Sequence, residues 1–171
     1  MDSFLRLIEA LHRRAVRFVV IGVAGANYYA GGGATLFTTR DRDLFLPADP
    51  ANELAAWLAC RDCGLELWAG DEPLGEPLDL WLAEQVVQRQ ALVQALDRRG
   101  LEVDLTLVMG DFEFSQVWNE RRAFPVHGVD VPVARLSQIV QSKATAGMEK
   151  DRLFLATHRE ALARLIRENE P

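Results

Sequence analysis

The sequence predicts an α/β (α+β) domain in which a mixed sheet is flanked by helices and followed by a helical C-terminal part. Short β-branched runs alternate with stretches of helical spacing. Residues 101–108 alternate strictly between apolar and polar side chains, as in a strand that is buried on one face. From Arg135 onward the apolar spacing is helical. We therefore expect a core over residues 1–134 and a helical segment over residues 135–171 packed on the same domain.

In the first part of the chain, helices are predicted to alternate with short strands. The run RFVVIG, which starts at Arg17, is rich in β-branched residues and indicates a buried strand. Asp49 and Pro50 fit the N-cap and the first position of a helix that Gly64 ends. The predicted elements are a helix over residues 2–15, a strand over 17–22, a helix over 24–30 ended by the glycine run 31–33, a strand over 44–47, a helix over 50–63 and a strand over 65–68.

The second part of the chain begins with a surface loop over residues 70–77, which holds two Gly and two Pro. The apolar residues of 80–99 recur at helical spacing and predict one long helix that Gly100 ends. The inward positions of that helix are Leu82, Val86, Val93 and Leu96. The elements expected after it are a strand over 101–108, a helix over 112–121, a hairpin of 124–126 with 129–133 that turns at His127-Gly128, and helices from Arg135.

Composition and charge restrict the classes of function. The 171 residues carry a formal net charge of −6, so binding of nucleic acid by the whole surface is not expected. Cations outnumber acids only from Glu120 onward, where they fit either a polyanion or ordinary solvated helix faces. No apolar run approaches the roughly 18 residues of a membrane span. Because Met1-Asp2-Ser3 also lacks the basic start of a signal peptide, we expect a cytoplasmic protein with no membrane partner.

Two aspartates mark the start of the second predicted strand. Asp41 and Asp43 are two residues apart, so an extended backbone directs both carboxylates to the same side. Two carboxylates at such a short distance repel each other unless a positive group lies between them. Mg²⁺, which binds carboxylate oxygens together with substrate phosphates, is one such group. The alternative is a turn with two solvated aspartates.

A third carboxylate lies in the alternating strand. Asp104 is on the polar side of an otherwise apolar strand, where an aspartate costs free energy unless it is paired or binds metal. Three carboxylates on neighbouring strands are typical of two-metal phosphoryl chemistry. Glu102 points to the same side of this strand and is the alternative third ligand. We favour Asp104 because it lies deeper in the alternating run.

This ordered set of residues resembles the nucleotidyltransferase superfamily, and in particular its small bacterial members, the minimal nucleotidyltransferases and the abortive-infection toxin type. Those families carry a Gly-Gly or Gly-Ser pair, then Asp-x-Asp, then a third Asp. Gly22 corresponds to the first glycine of the pair. Thr39, Asp41 and Asp43 correspond to the Asp-x-Asp region, and Asp104 corresponds to the third carboxylate.

The resemblance extends further along the chain. The segment from Val131 to Leu136, followed by Lys143 and the pair Lys150-Asp151, is similar to a strand-then-helix segment of several such families. It departs from them in lacking the acidic residue that often follows Lys-Asp by a few positions. Phe154 and Leu155 stand there instead. The resemblance therefore covers most of the chain from Arg17 to Asp151.

The resemblance implies a metal-dependent transfer of a nucleoside monophosphate from an NTP to an acceptor hydroxyl. Asp41 and Asp43 would hold two Mg²⁺ or Mn²⁺ ions, and Asp104 would bind the metal nearer the acceptor and help to deprotonate its hydroxyl. Gly22 and the helix after it would face the phosphates. Thr39, Arg40 and Lys143 are candidates for contacts to the nucleotide or the acceptor, although Arg40 fits simple charge balance equally well. The acceptor would be an RNA such as tRNA, a protein or a small molecule.

One position departs from the glycine motif. The second residue of the pair is Val23, where the family has Gly or Ser, and its side chain is expected to crowd the approach of the triphosphate. Gly25 and the glycine run 31–33 are candidates to compensate. The alternative function is therefore a catalytically degenerate nucleotidyltransferase-fold binding module, such as a toxin–antitoxin component.

Overall fold

Helices and strands alternate along the chain in the computed structural model, which describes residues 1–31 and 37–171. The elements in chain order are α1 (Ser3–Arg13), β1 (Val19–Ile21), α2 (Gly22–Ala30), β2 (Asp41–Phe45), α3 (Pro50–Asp62), β3 (Glu66–Ala69), β4 (Glu72–Pro73), α4 (Leu80–Gln88), β5 (Val93–Leu96), β6 (Glu102–Thr106), α5 (Phe114–Glu120), β7 (Arg122–Val126), β8 (Val129–Val133), α6 (Leu136–Ala146), α7 (Glu149–Thr157) and α8 (Arg159–Asn169). This arrangement confirms the predicted mixed α/β class.

The strands of the described residues form one mixed sheet in the order β4-β3-β5-β6-β2-β1-β8-β7. Near its centre, β2 pairs parallel with β6 and antiparallel with β1. Strands β6, β2 and β1 are therefore neighbours in the sheet. Parallel pairing of β2 with β6 puts Asp43 in register with Asp104, and antiparallel pairing with β1 puts Ile21 in register with Asp43.

The alternation in β6 is also confirmed by burial. Val103 and Leu105 are fully buried, whereas Glu102 is exposed and Asp104 is partly buried. The apolar face continues into β2 and β1 through Leu44 and Val20. A hydrophobic core on this side leaves the other side of β2 and β6 to carry the polar side chains.

The predicted helix over residues 80–99 is confirmed only as far as Gln88, and its second half is wrong. Helix α4 ends at Gln88, the backbone turns through a positive φ of 48° at Gln90, and residues 93–96 form strand β5 between β3 and β6. Val93 and Ala95 are buried at a period of two. Hydrogen bonding to two neighbouring strands decides the local structure here, although the apolar residues also fit helical spacing.

Several boundaries also differ from the prediction. Strand β2 starts at Asp41 rather than at residue 44, because Asp41 pairs with Glu102 of β6. Helix α2 starts at Gly22 rather than at residue 24, and Gly31 follows its last residue as predicted. Residues 32 and 33 of the glycine run lie outside the described residues. The loop over 70–77 contains the two-residue strand β4.

The C-terminal helices pack against α2. The Tyr29 hydroxyl of α2 donates a hydrogen bond of 2.7 Å to the Ala134 carbonyl, just before α6. Near the chain end, a Glu170 carboxylate oxygen accepts a 2.9 Å hydrogen bond from the Ser137 N–H in the first turn of α6. The first hydrogen bond joins α2 to the residue two positions before α6, and the second joins the chain end to α6. Within residues 1–31 and 37–171, every helix is too short or too polar to cross a membrane.

Helix α3 buries an acidic side chain that has one hydrogen bond. Glu53 is fully buried, and its Oε1 accepts a 3.0 Å hydrogen bond from the indole Nε1 of Trp57. Its other oxygen, Oε2, has no hydrogen-bond partner among the described residues. Burial raises the pKa of Glu53 from 4.5 to about 7, and the Trp57 hydrogen bond opposes that rise. Glu53 therefore holds its proton in the folded state at a pH where the unfolded chain has lost it.

We predict that Glu53→Gln makes stability less dependent on pH. An acid with a raised folded-state pKa loses stabilising free energy as pH rises from its unfolded value to its folded value, here from 4.5 to about 7. Relative to wild type, the variant should gain on the order of 2–3 kcal/mol between pH 4.5 and pH 8. Urea unfolding at both pH values measures this gain. The exposed Glu66→Gln is the control, and an equal gain in both variants would contradict the prediction.

Candidate active site

Two carboxylates of the predicted set face each other across β2 and β6. Asp43 and Asp104 are register partners on these parallel strands, and neighbouring strands are about 4.8 Å apart. Both side chains are partly buried, and both line a shallow pocket of about 250 Å³. Gly22 and Lys143 line the same pocket. The structure thus brings four of the predicted site residues to one place.

Gly22 forms the turn from β1 into α2 beside Asp43. It has a φ of +69°, a conformation that glycine adopts at no steric cost. A Cβ atom built at this position would overlap an oxygen of the Asp43 carboxylate. The first turn of α2 receives no side-chain cap, because its N-cap residue is Ile21. A positive helix end therefore lies directly against Asp43.

Burial is the main influence on the charge state of Asp43. The pKa of Asp43 is raised from 3.8 to about 6, mainly by burial and also by the neighbouring carboxylates Asp104 and Asp41. The ammonium groups of Lys143 and Lys150 act in the opposite direction and lower this pKa. Asp43 therefore changes charge close to neutral pH, in a pocket that holds both acids and a cation.

Lys143 is held in the pocket by an ion pair. Its Nζ lies 3.2 Å from Oδ1 of Asp151 and 5.2 Å from the centre of the Phe154 ring. Both members of the pair are largely buried, with side-chain exposures of 15% and 8%. The left-handed Gly147 separates α6 from α7 and lets α7 return Asp151 to Lys143. The Lys150-Asp151 pair of the family resemblance thus supplies the partner of Lys143.

Asp41 lies at the outer end of the site. It is exposed, it is the first residue of β2, and its register partner is the exposed Glu102 rather than Asp104. It is near enough to raise the pKa of Asp43. In the part of the chain that the structure describes, no three His, Cys, Asp or Glu side chains are arranged to hold one metal ion. The structure therefore places Asp43 beside Asp104, and Asp41 lies two residues away on the same face of β2.

The remaining predicted contacts lie outside the pocket lining. The Thr39 hydroxyl accepts a 3.2 Å hydrogen bond from the Asp41 N–H and so shapes the entry to β2. Arg40 is exposed. Val23 is partly buried and packs against the hydrophobic core. The guanidinium of Arg42 lies 5.5 Å from the centre of the Phe4 ring, on the α1 side of β2.

The sequence prediction missed one residue that touches the carboxylate pair. Gln94 of β5 is the register partner of Asp104, and its Nε2 donates a 2.9 Å hydrogen bond to Oδ1 of Asp104. It was missed because residues 80–99 were predicted as a helix. The available signal was the polar Gln94 between the buried Val93 and Ala95.

A cavity larger than the carboxylate pocket lies elsewhere. It has a volume of about 1040 Å³ and lies beside α1 and the turn between β5 and β6. Its charged residues include similar numbers of both signs, among them Arg6, Arg13, Glu9 and Glu66. None of the carboxylates of the predicted set lines it. We therefore identify the candidate active site by its chemistry rather than by its volume.

Comparison of the chain with protein-family models gives no match, and comparison with curated proteins gives none either. The resemblance to the nucleotidyltransferase superfamily therefore stays a prediction. It rests on Gly22, on the spacing of Asp41 and Asp43, on Asp104 and on the downstream lysine segment.

We predict that Gly22→Ala destabilises the protein more than Gly64→Ala does. Both glycines have a positive φ, +69° and +78°, but a Cβ at Gly64 would meet open space. The left-handed conformation alone costs about 1–2 kcal/mol, and Gly22→Ala adds the overlap with Asp43. Adding Asp43→Ala to Gly22→Ala should recover the extra loss. Urea unfolding measures all three variants, and equal losses at the two glycines would refute the crowding argument.

We also predict that Asp43→Asn stabilises the metal-free protein at neutral pH. A carboxyl whose pKa rises on folding loses stabilising free energy as pH increases, here from 3.8 to about 6, and the cost is complete above that range. In EDTA, the variant should gain about 1–2 kcal/mol relative to wild type between pH 4 and pH 7.5. Thermal unfolding at both pH values tests this, with the exposed Asp71→Asn as control. A gain that is absent or matched by the control would contradict it.

Proposed function

We propose that the chain is a metal-dependent nucleotidyltransferase that moves a nucleoside monophosphate from an NTP to an acceptor hydroxyl. The observation that carries the proposal is the register of Asp43 with Asp104 beside Gly22, at the uncapped start of α2. A carboxylate pair next to a helix N-terminus suits a ligand that carries both a divalent cation and phosphates. A cytoplasmic location, where such ligands are abundant, is part of the proposal.

The reaction breaks the phosphoanhydride bond between the α- and β-phosphates and forms a phosphate ester bond to the acceptor. The acceptor oxygen attacks the α-phosphorus, the bond from that phosphorus to the oxygen bridging to the β-phosphate breaks, and pyrophosphate leaves. The proton of the acceptor hydroxyl passes to the carboxylate pair. Asp104, which the resemblance places nearer the acceptor, is the candidate to accept that proton.

Mg²⁺ or Mn²⁺ fits the donor set of this pocket. Mg²⁺ is commonly bound by one or two carboxylates, with substrate phosphates and water completing its shell. Asp43 and Asp104 supply two carboxylates, and Asp41 on the same face of β2 is the candidate for a further ligand. When bound, the ion neutralises charge on the phosphates and stabilises the attacking and leaving oxygens. The absence of a Cβ at Gly22 makes room for the Asp43 carboxylate itself.

The triphosphate would be bound by two positive features. One is the first turn of α2, whose backbone N–H groups are not capped by a side chain. The other is Lys143, which lines the same pocket and is held by Asp151. Thr39 and Arg40 lie near the entry to β2 and are candidates for contacts to the acceptor rather than to the phosphates.

A second function is a catalytically degenerate binding module, for example a toxin–antitoxin component. Two observations favour it. Val23 occupies the position where the resembling families have Gly or Ser, and Asp41 lies beyond the lining of the carboxylate pocket. Such a module would retain the fold, and a nucleotide or a partner protein would bind without transfer.

Binding and transfer assays separate these functions. We expect calorimetry with Mg²⁺ and a non-hydrolysable NTP to show binding, and an α-labelled NTP to label RNA or protein acceptors. Asp43→Asn and Asp104→Asn should each lower transfer about 100-fold or more, as losses of transition-state stabilisation do. Glu102→Gln, on the same face of β6 but exposed, should leave transfer unchanged.

Each outcome of these assays has one meaning. Nucleotide binding without transfer by the wild type would support the binding module. An absence of both would reject the proposed function. If Asp104→Asn transferred nucleotide as fast as Glu102→Gln and wild type, the Asp104 carboxylate would have no role in the reaction.

A further inference from the structure

We propose that Gln94 is a positioning residue that fixes the carboxylate of Asp104 for metal binding. Its Nε2 donates a 2.9 Å hydrogen bond to Oδ1 of Asp104, and the two residues are register partners on β5 and β6. Gln94 does not line the pocket that holds Asp43 and Asp104, so it acts through Asp104. This inference rests on the proposed function, because it concerns the same carboxylate pair.

The sheet carries these side chains in one row. Trp68, Gln94, Asp104 and Asp43 are successive register partners on β3, β5, β6 and β2. Adjacent positions in such a row are about 4.8 Å apart and point to the same face. The row therefore runs from an indole, through an uncharged amide, to two carboxylates.

The hydrogen bond determines which oxygen of Asp104 is available. A carboxylate on a strand rotates about two side-chain bonds unless a partner holds it. With Oδ1 bound to the Gln94 amide, Oδ2 remains for a ligand in the pocket. Partners of this kind orient metal-binding side chains, and their loss lowers metal affinity roughly 10–100-fold.

An amide suits this position better than a charged side chain does. A glutamate would place a third carboxylate in a row that already holds Asp43 and Asp104. A lysine would form an ion pair with Asp104 and compete with a metal ion for it. Glutamine supplies the donor without a net charge. The alternative is that Gln94 only fills space between β3 and β6.

Gln94→Met distinguishes these roles, because methionine has a similar length and no donor. The matched control is Gln85→Met on α4, which is also partly buried but lies outside the row. Calorimetry with Mn²⁺ alone, without nucleotide, should show a dissociation constant 10–100-fold higher for Gln94→Met than for wild type. Gln85→Met should bind Mn²⁺ like wild type. In transfer assays, saturating Mn²⁺ should restore most of the rate of Gln94→Met.

Gln94→Glu tests, in the absence of metal, whether the side chain of residue 94 lies next to the Asp104 carboxylate. In EDTA at pH 8, we expect this variant to melt at a lower temperature than Gln94→Met, because its carboxylate lies beside Asp104. Equal melting temperatures of Gln94→Glu and Gln94→Met would overturn the role of Gln94. The same conclusion would follow if the wild type bound Mn²⁺ and Gln94→Met bound it equally well. Either result would leave the proposed function standing. A wild type that binds neither Mn²⁺ nor nucleotide would overturn both.

Discussion

The side-by-side placement of Asp43 and Asp104 constrains the structure around it. Two carboxylates on adjacent strands repel each other, and partial burial removes the water that would screen them. The pKa of Asp43 is about 6 because burial and Asp104 both oppose its ionisation. The surroundings offset part of that cost with the uncapped start of α2 and the ammonium of Lys143. An arrangement that works against folding in this way is typical of functional sites.

The chain topology builds this arrangement from segments far apart in sequence. The turn from β1 into α2 approaches Asp43 closely enough that only a glycine fits at residue 22. The left-handed Gly147 breaks the C-terminal helices so that Asp151 holds Lys143 at the same pocket. A hydrogen bond from the Ser137 N–H to the Glu170 carboxylate then holds the chain end against α6. The C-terminal helices thus complete the site as well as covering the core.

Local patterns predicted the elements whose side chains alternate or recur without ambiguity. The strict alternation of β6 located Asp104 on the polar face, and the spacing of Asp41 and Asp43 placed both on one face of β2. The spacing did not determine how far β2 extends, so it did not show that Asp41 pairs with the exposed Glu102. Strand β5 was missed because its apolar residues also continue a helical pattern, and only pairing with β3 and β6 decides between the two. Gln94 was hidden by the same ambiguity.

Two acids of this protein have strongly raised pKa values, and their surroundings separate a structural role from a functional one. Glu53 lies within the core beside Trp57, and burial alone accounts for its pKa of about 7. No pocket with a second acid or a cation is needed to explain it. The pKa of Asp43 is shifted less, but Asp43 lines a pocket together with Asp104 and Lys143. It also lies against Gly22, the first residue of α2. Protonation removes the charge of Glu53, whereas Asp43 shares its pocket with a second carboxylate, that of Asp104. A raised pKa by itself therefore marks burial, and the convergence of a like charge, a cation and free backbone donors marks the site.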